Sequence, residues 1–140
     1  MKFTLIILSL SVLLLGACRH GEHNELKEPD SSMINKDHPA KMTFESNTYD
    51  AGKVAWNEEI VHEFTFVNDG ESPLNIVDVH TTCSCTVPEW PREAIKPGES
   101  SSILVKVKPK DKGKFKKTVT LSANTYPKTV TKLHVTGEVK

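Results

Sequence analysis

The sequence predicts one all-β domain, a sandwich of about seven antiparallel strands, behind an export signal and a polar linker. Two observations indicate this architecture. From Met42 onward, apolar residues recur with a period of two rather than the period of about 3.6 that a helix shows. Turn residues such as Asn68-Asp69-Gly70 interrupt these runs at short intervals. A length of 140 residues suits a single domain of modest size.

The N-terminal segment has the pattern of a lipoprotein signal peptide. Lys2 precedes a mostly apolar run, Phe3–Leu15, which is shorter than the roughly 20 residues of a membrane-spanning helix. The run ends in Leu15-Gly16-Ala17-Cys18, which resembles a bacterial lipobox. We therefore expect residues 1–17 to be removed and Cys18 to carry the lipid that anchors the protein to a membrane. A plain secretory signal with an incidental cysteine is the alternative.

Residues 18–40 are expected to form the lipidated cysteine and a flexible tether. Residues 19–40 contain five acidic and three basic side chains and three histidines, with three apolar side chains larger than alanine. Such a composition cannot form a core. The three histidines could form a loose metal-binding tract, but their irregular spacing favours a solvated linker. The predicted location is the cell envelope outside the cytoplasm, at the periplasmic face of a membrane or on the cell surface.

Residues 41–140 are expected to form the sandwich. Leu74–Thr82 is an extended run whose alternation breaks at Ile76-Val77, which indicates a bulge or a strand buried on both faces. The other runs each place a set of apolar residues on one face: Ile60, Phe64 and Phe66; Ile103, Val105 and Val107; Phe115, Val119, Leu121 and Ala123; Leu133, Val135 and Val139. About seven such strands in about 100 residues are typical of an immunoglobulin-like sandwich.

Several short motifs carry a resemblance to a known family. They are Tyr49–Val54, His62–Gly70, Pro73-Leu74, Cys83–Pro88, Trp90-Pro91, Ile95–Glu99 and Gly137. With them, residues 42 to 139 resemble the bacterial family called domain of unknown function 1573, which is frequent among lipoproteins and secreted proteins of Bacteroidetes. The resemblance implies an immunoglobulin-like fold similar to major-sperm-protein and Hydin-type domains. It implies no established activity.

Cys83 and Cys85, with His80 three residues earlier, form the most site-like group of residues in the sequence. In a regular strand, residues i and i+2 lie about 6.6 Å apart, at the upper end of the Cα separations that a disulfide tolerates. A disulfide here therefore requires a bend. Three interpretations remain open: a structural pair, which we prefer, a Cu(I) site with His80 as third ligand, and a thiol redox pair. His80 has the opposite strand parity, which weakens the metal interpretation.

Trp90 and a set of lysines are the candidate interaction residues. Trp90 is expected to be either a lid over one end of the sandwich, which we prefer, or an exposed binding anchor. Residues 41–94 contain 3 basic and 10 acidic side chains, whereas residues 95–140 contain 11 and 3. The lysines that could form a patch for lipid headgroups, a cell-wall polymer or an acidic protein are Lys106, Lys108, Lys110, Lys114 and Lys116. The preferred alternative is that such lysines protect sheet edges from aggregation.

Composition and motifs exclude several classes of function. With 18 basic and 18 acidic residues, the chain lacks the excess positive charge of a nucleic-acid-binding protein. It has no Gly-rich nucleotide loop, no G-x-S-x-G and no H-E-x-x-H. The sequence therefore predicts a membrane-anchored, non-catalytic lipoprotein that binds or scaffolds an envelope protein or polymer. A copper-delivery protein and a thiol redox protein are the alternatives, and Cu(I) is the one cofactor that the cysteine pair suggests.

Overall fold

The computed structural model describes residues 25–140, which form two four-stranded sheets packed face to face. The first sheet has the order β1-β3-β6-β5 and the second the order β2-β8-β7-β4. The strands are β1 (Met42–Phe44), β2 (Thr48–Val54), β3 (Ile60–Asn68), β4 (Ile76–Thr81), β5 (Thr86–Glu89), β6 (Ser100–Val107), β7 (Gly113–Ala123) and β8 (Val130–Val139). The all-β sandwich expected from the sequence is confirmed, with eight strands instead of about seven.

One strand pair departs from the expected antiparallel arrangement. β2 pairs in parallel with β8, whereas the other neighbouring strands are antiparallel. The chain leaves β1 in the first sheet and enters β2 in the second after residues 45–47, without reversing its direction. β1 and β2 therefore run in the same direction, and β8 also runs in that direction, so β2 and β8 pair in parallel. The pairing shifts register between Asp50 and Lys53, where Gly52 has a φ of 65°.

The core lies between the sheets and consists of the residues that strand alternation predicts. The fully buried side chains include Phe64, Phe66, Ile103, Val105, Val107, Val119, Leu121, Leu133 and Val135. The interruption predicted at Ile76-Val77 is confirmed, because the register of β4 against β7 shifts between Ile76 and Asp78. This shift allows both apolar neighbours to be partly buried.

Asn68 ties together the loops at one end of the sandwich. Its buried side-chain amide donates to the carbonyl oxygens of Ser72 and Ile95, both at 2.9 Å. Its Oδ1 accepts from the backbone N–H of Gly70 at 3.1 Å. A buried amide with these partners satisfies loop backbone groups that water would otherwise have to hydrate.

Asn124 has the same role on the second sheet. Its Oδ1 accepts from the N–H of Asn75 at 2.7 Å, and its Nδ2 donates to the carbonyls of Pro73 and Met33 at 3.1 and 3.2 Å. The asparagine end is defined here as Asn68 and Asn124 with the loops 69–75, 93–99 and 124–129. It is therefore closed by buried hydrogen bonds from both sheets.

The described part of the expected tether, residues 25–40, lies along the domain. Ala40 is buried in the core and forms an isolated bridge with Thr125. The side chain of Asn124 holds Met33 through its carbonyl. Polar contacts with the backbone fix this segment, which is why a pattern based on apolar residues does not reveal its position. Residues 1–17 and Cys18 lie outside the described residues.

Residues 25–140 contain no helix with the length and apolar character needed to cross a membrane.

Candidate functional site: the lysine end

The opposite end of the sandwich brings together the loops 55–59, 82–85 and 108–112. Ile60, Thr86 and Val107 lie side by side across the first sheet, so the loops that adjoin these residues are neighbours. We call this region the lysine end and define it by these three loops together with Lys106. It contains the cysteine pair and three of the five candidate lysines.

Cys83 and Cys85 form a disulfide. The chain bends between β4 and β5, so that their Cα atoms are 5.1 Å apart, closer than in a regular strand. The N–H of Thr86 donates to the carbonyl of Cys83 at 3.1 Å and closes the turn. Cys83 is partly exposed and Ser84 is exposed, whereas Cys85 retains 8% of its accessible surface. The two cysteine residues therefore differ in exposure.

Lys117 contacts the disulfide. Thr81 of β4 faces Val119 of β7, so the antiparallel register brings Cys83, two residues further, opposite Lys117. Lys117 shares the inner face of β7 with Val119 and is partly buried, and its Nζ lies 3.8 Å from Cys83 Sγ. A lysine can bury part of its aliphatic stem while its ammonium group reaches a polar partner. This contact joins residues 34 positions apart.

The structure does not assemble the Cu(I) site considered from the sequence. The sulfurs of Cys83 and Cys85 are bonded to each other, and copper needs thiolate ligands. On β4, His80 pairs with Thr120 of β7. His80 and Thr81 are adjacent and so point to opposite faces of the strand, and Cys83, two residues after Thr81, continues the face of Thr81. No group of three or more His, Cys, Asp or Glu side chains between residues 25 and 140 is arranged to hold a metal ion.

Lys106, Lys108 and Lys110 lie on one side of the lysine end. Lys106 lies between Val61 and Val87 on the outer face of the first sheet. Its Nζ is 2.5 Å from Glu89 Oε1, and this hydrogen bond raises the pKa of Lys106. A surface concavity of about 280 Å³ is lined by Glu59, Ser84, Cys85, Val87, Lys106, Lys108 and Lys110.

The other two candidate lysines belong to a different surface. Lys114 and Lys116 are exposed on β7, in the second sheet, and Lys114 lines a separate concavity of about 400 Å³ with Asp50 and Glu138. The predicted patch is thus divided between the two sheets, because the chain changes sheet between β6 and β7. Both strands are central in their sheets, so Lys106, Lys114 and Lys116 do not lie on edge strands.

The two tryptophans differ in exposure. Trp90 is partly buried against the core, and the guanidinium of Arg92 lies 3.7 Å from its ring centroid. Trp56 is 62% exposed, and its Nε1 donates to the carbonyl of Lys110 at 3.2 Å. Sequence reasoning missed Trp56 as an exposed aromatic, although its position before Asn57-Glu58-Glu59 is a signal for a solvated turn.

His62 joins the two sheets near the lysine end. Its ring stacks on Tyr49 with 3.8 Å between centroids and meets the edge of Phe64 at 4.6 Å. Burial lowers the pKa of His62 below its ordinary value, because the apolar surroundings disfavour the charged imidazolium, and the nearby Glu63 carboxylate opposes this shift.

This architecture of two four-stranded sheets, in which the chain passes from the first sheet to the second between β1 and β2, defines an immunoglobulin-like β-sandwich. The motifs that carry the sequence resemblance lie within it, from the β2 bulge to Gly137. A family profile described as "Protein of unknown function (DUF1573)" matches residues 42–139. The chain belongs to this family. A comparison with curated proteins finds no match.

Solved structures show the same fold. A protein of unknown function from Porphyromonas gingivalis W83 superposes with a TM-score of 0.67 at 19% identity, covering 79% of this chain and 52% of that one. The PapD-like domain 7 of human CEP192 superposes with a TM-score of 0.56 at 10% identity, covering 86% of this chain and 97% of that domain. The VesB protease of Vibrio cholerae superposes with a TM-score of 0.57 at 11% identity, covering 69% of this chain and 31% of the protease. The matched region is about half of the Porphyromonas protein and a third of the protease.

Proposed function

We propose that this protein is a lipid-anchored, non-catalytic module of the cell envelope that binds an acidic segment of another envelope protein at its lysine end. The observation that carries this proposal is the concavity lined by Lys106, Lys108 and Lys110, next to exposed Trp56. The Trp56 indole contacts the same loop that carries Lys110, so aromatic and positive groups form one continuous surface.

The charges of this surface favour an anionic partner. Lys106 is paired with Glu89, whereas Lys108 and Lys110 are exposed and form no ion pair within residues 25–140. Three lysines and Glu59 line the concavity, so it keeps a net positive charge even with Lys106 paired to Glu89. A net positive charge at a concave surface attracts anions and accelerates their association.

Apolar exposure at the same place favours a polypeptide over a cell-wall polymer. Val61 and Val87 retain 50% and 53% of their accessible surface on either side of Lys106, and Trp56 retains 62%. Tryptophan is enriched among the residues that contribute most to binding at the centre of protein interfaces. An acidic segment with one or two large apolar side chains is complementary to this surface.

The proposed anchor suits such a role. Cys18 would hold the protein at the membrane, and the described part of the linker joins the domain at the asparagine end, through Ala40 and Thr125. The lysine end lies at the opposite end of the strands, which leaves it accessible for a partner when the linker is tethered.

Binding can be tested with two matched charge reversals. The mature protein in vesicles is titrated with fluorescent peptides, one Asp/Glu-rich with Leu and Phe, the other with Lys in place of each acid. We expect saturable binding of the acidic peptide, weakened at least about tenfold by K108E/K110E. The control K114E/K116E changes the net charge equally on the second sheet and should weaken binding less than about threefold. Equal losses in both variants, or no saturable binding, would refute the proposal.

The anchor is tested separately by growing cells with an alkyne fatty acid. The wild-type protein should incorporate the label and partition with membranes, whereas Cys18→Ser should do neither. Labelling that persists in Cys18→Ser would contradict the proposed anchor without affecting the binding site.

A further inference from the structure

We propose that the Cys83–Cys85 disulfide is a thiol–disulfide exchange site that accepts two electrons from a dithiol, with Lys117 stabilising the Cys83 thiolate formed in the reaction. This goes beyond the binding function, since it assigns chemistry to the bond itself. Three observations support it: the unequal exposure of the two cysteine residues, the polar contacts of Cys83 Sγ, and the small loop that the bond closes.

The two sulfurs are suited to different roles. Cys83 is partly exposed and follows an exposed Thr82, whereas Cys85 is 8% exposed. We therefore expect a thiolate from solvent to attack Cys83 Sγ rather than Cys85 Sγ. Access of this kind decides which sulfur of a disulfide is attacked.

Cys83 Sγ has the contacts that stabilise a thiolate. Lys117 Nζ lies 3.8 Å away, and the backbone N–H of Cys85 donates to the same sulfur at 3.3 Å. A neighbouring ammonium group and a hydrogen bond to the charged form both lower the pKa of a cysteine thiol. They stabilise the reduced protein and so make the disulfide a stronger oxidant.

A structural role accounts poorly for this bond. The sequence separation of the cysteines is 2, so the closed loop contains Ser84 between them and nothing else. The entropy removed from the unfolded chain by so short a loop corresponds to about 1.5 kcal/mol, against about 3 kcal/mol for a 15-residue loop. The bond therefore adds little stability compared with a long-range disulfide.

The exchange proceeds in two balanced steps. A substrate thiolate attacks Cys83 Sγ, a bond forms between the substrate sulfur and Cys83, and the electron pair of the Cys83–Cys85 bond goes to Cys85 Sγ, which takes a proton from water. The second substrate thiol loses its proton to water and attacks the first substrate sulfur. The mixed disulfide breaks, and its electron pair goes to Cys83 Sγ beside Lys117. The dithiol becomes a disulfide, and the protein disulfide becomes a reduced pair.

The central experiment measures the redox equilibrium of the mature protein with reduced and oxidised dithiothreitol at pH 9, with peptide mapping by mass spectrometry to identify each thiol. We expect Lys117→Met to reduce the equilibrium constant for protein reduction about fivefold, because the Cys83 thiolate loses its cation. Lys117→Arg retains the charge and should restore the constant to within about twofold of wild type. Lys116→Met is the matched control, since Lys116 is exposed on the opposite face of β7.

A second measurement separates electrostatics from packing. In Cys85→Ser, which leaves Cys83 as a single titrating thiol, the rate of alkylation against pH gives the pKa of Cys83. We expect it about one unit below the ordinary value of about 8.5, and at the ordinary value when Lys117→Met is added. An ordinary pKa in both proteins, or equal effects of Lys116→Met and Lys117→Met on the equilibrium, would overturn the proposal. Acidic-peptide binding by K117M tests the proposed function independently.

Discussion

The asparagine end and the lysine end close the same sandwich in contrasting ways. At the asparagine end, buried amides satisfy the backbone groups of several loops, and Asn68 has no exposed surface. At the lysine end, Trp56, Lys108 and Lys110 are exposed, and the turn between β4 and β5 contains a disulfide between cysteines two positions apart. Polar groups at the first end are used for folding, whereas those at the second end are available to solvent.

The contrast shows which polar residues carry stability and which are available for binding or chemistry. A buried, satisfied amide is costly to remove because its partners remain buried. An exposed lysine can be replaced with little effect on folding. Residues that stabilise the fold are therefore expected at the asparagine end, and residues that bind or react at the lysine end.

Asn68→Ala should have the largest effect on stability. It removes the donor to the carbonyls of Ser72 and Ile95 and the acceptor for the N–H groups of Gly70 and Lys41, so four backbone groups lose this partner. We expect the free energy of unfolding in urea to fall by about 3 kcal/mol. As the control at the other end, K108Q/K110Q should change it by less than about 0.5 kcal/mol. Similar losses in both proteins would remove the distinction between the ends.

Gly70→Ala should destabilise by about 2 kcal/mol, since the backbone has to move to accept a side chain. A Cβ on Gly70 would lie 2.5 Å from the N of Lys41 and 2.8 Å from the carbonyl carbon of Ala40. The same denaturation measurement checks it. Gly98→Ala cannot serve as the control, because Gly98 has a φ of 80°, where any side chain strains the backbone. An unchanged midpoint for Gly70→Ala would mean that residues 39–41 do not pack as the structure shows.

Removing the disulfide should have a smaller effect than either change. Cys83→Ser/Cys85→Ser opens a minimal loop, so we expect a loss of about 1.5 kcal/mol or less by thermal or urea unfolding. A loss of 3 kcal/mol or more would show that the bond stabilises the fold and would weaken the case for exchange chemistry.

The smallest expected effect is a pH dependence from His62. Because burial lowers its pKa in the folded state below the ordinary 6.5, the unfolded chain binds the proton more tightly. The contribution of neutral His62 to the free energy of unfolding is complete above the unfolded-state pKa of about 6.5. It is lost as the pH falls from there through the lowered pKa of the folded state. His62→Phe retains a ring against Tyr49, so its melting temperature should fall less between pH 7 and 5. A slope identical to wild type would assign the effect to other groups, of which His134, also with a lowered pKa, is one.

Most of the fold could be predicted from the sequence. Alternation alone identified the inner faces of β3, β6, β7 and β8, because a strand buries every second residue regardless of which strand is its neighbour. The break at Ile76-Val77 was equally local. The switch of the chain from β1 to β2 could not be predicted, since it depends on which sheet the chain joins and leaves no mark in the periodicity.

The candidate site was less predictable. The cysteines could be found by their spacing, but Lys117 could not, because its contact with Cys83 depends on the register of β4 against β7. Their positions along the chain predict that the five lysines form one patch, but the change of sheet between β6 and β7 places them on two surfaces.

The sequence by itself determined most of the strands, their buried faces and the family, and it predicts a lipid anchor, because all of these depend on residue type and short-range spacing. Tertiary structure alone decided that the cysteines are bonded, that Lys117 lies beside one sulfur, and that Trp56 rather than Trp90 is the exposed tryptophan. The physical reason is that charge, access and hydrogen-bond partners are properties of neighbours in space, and strand register brings together residues that are distant along the chain.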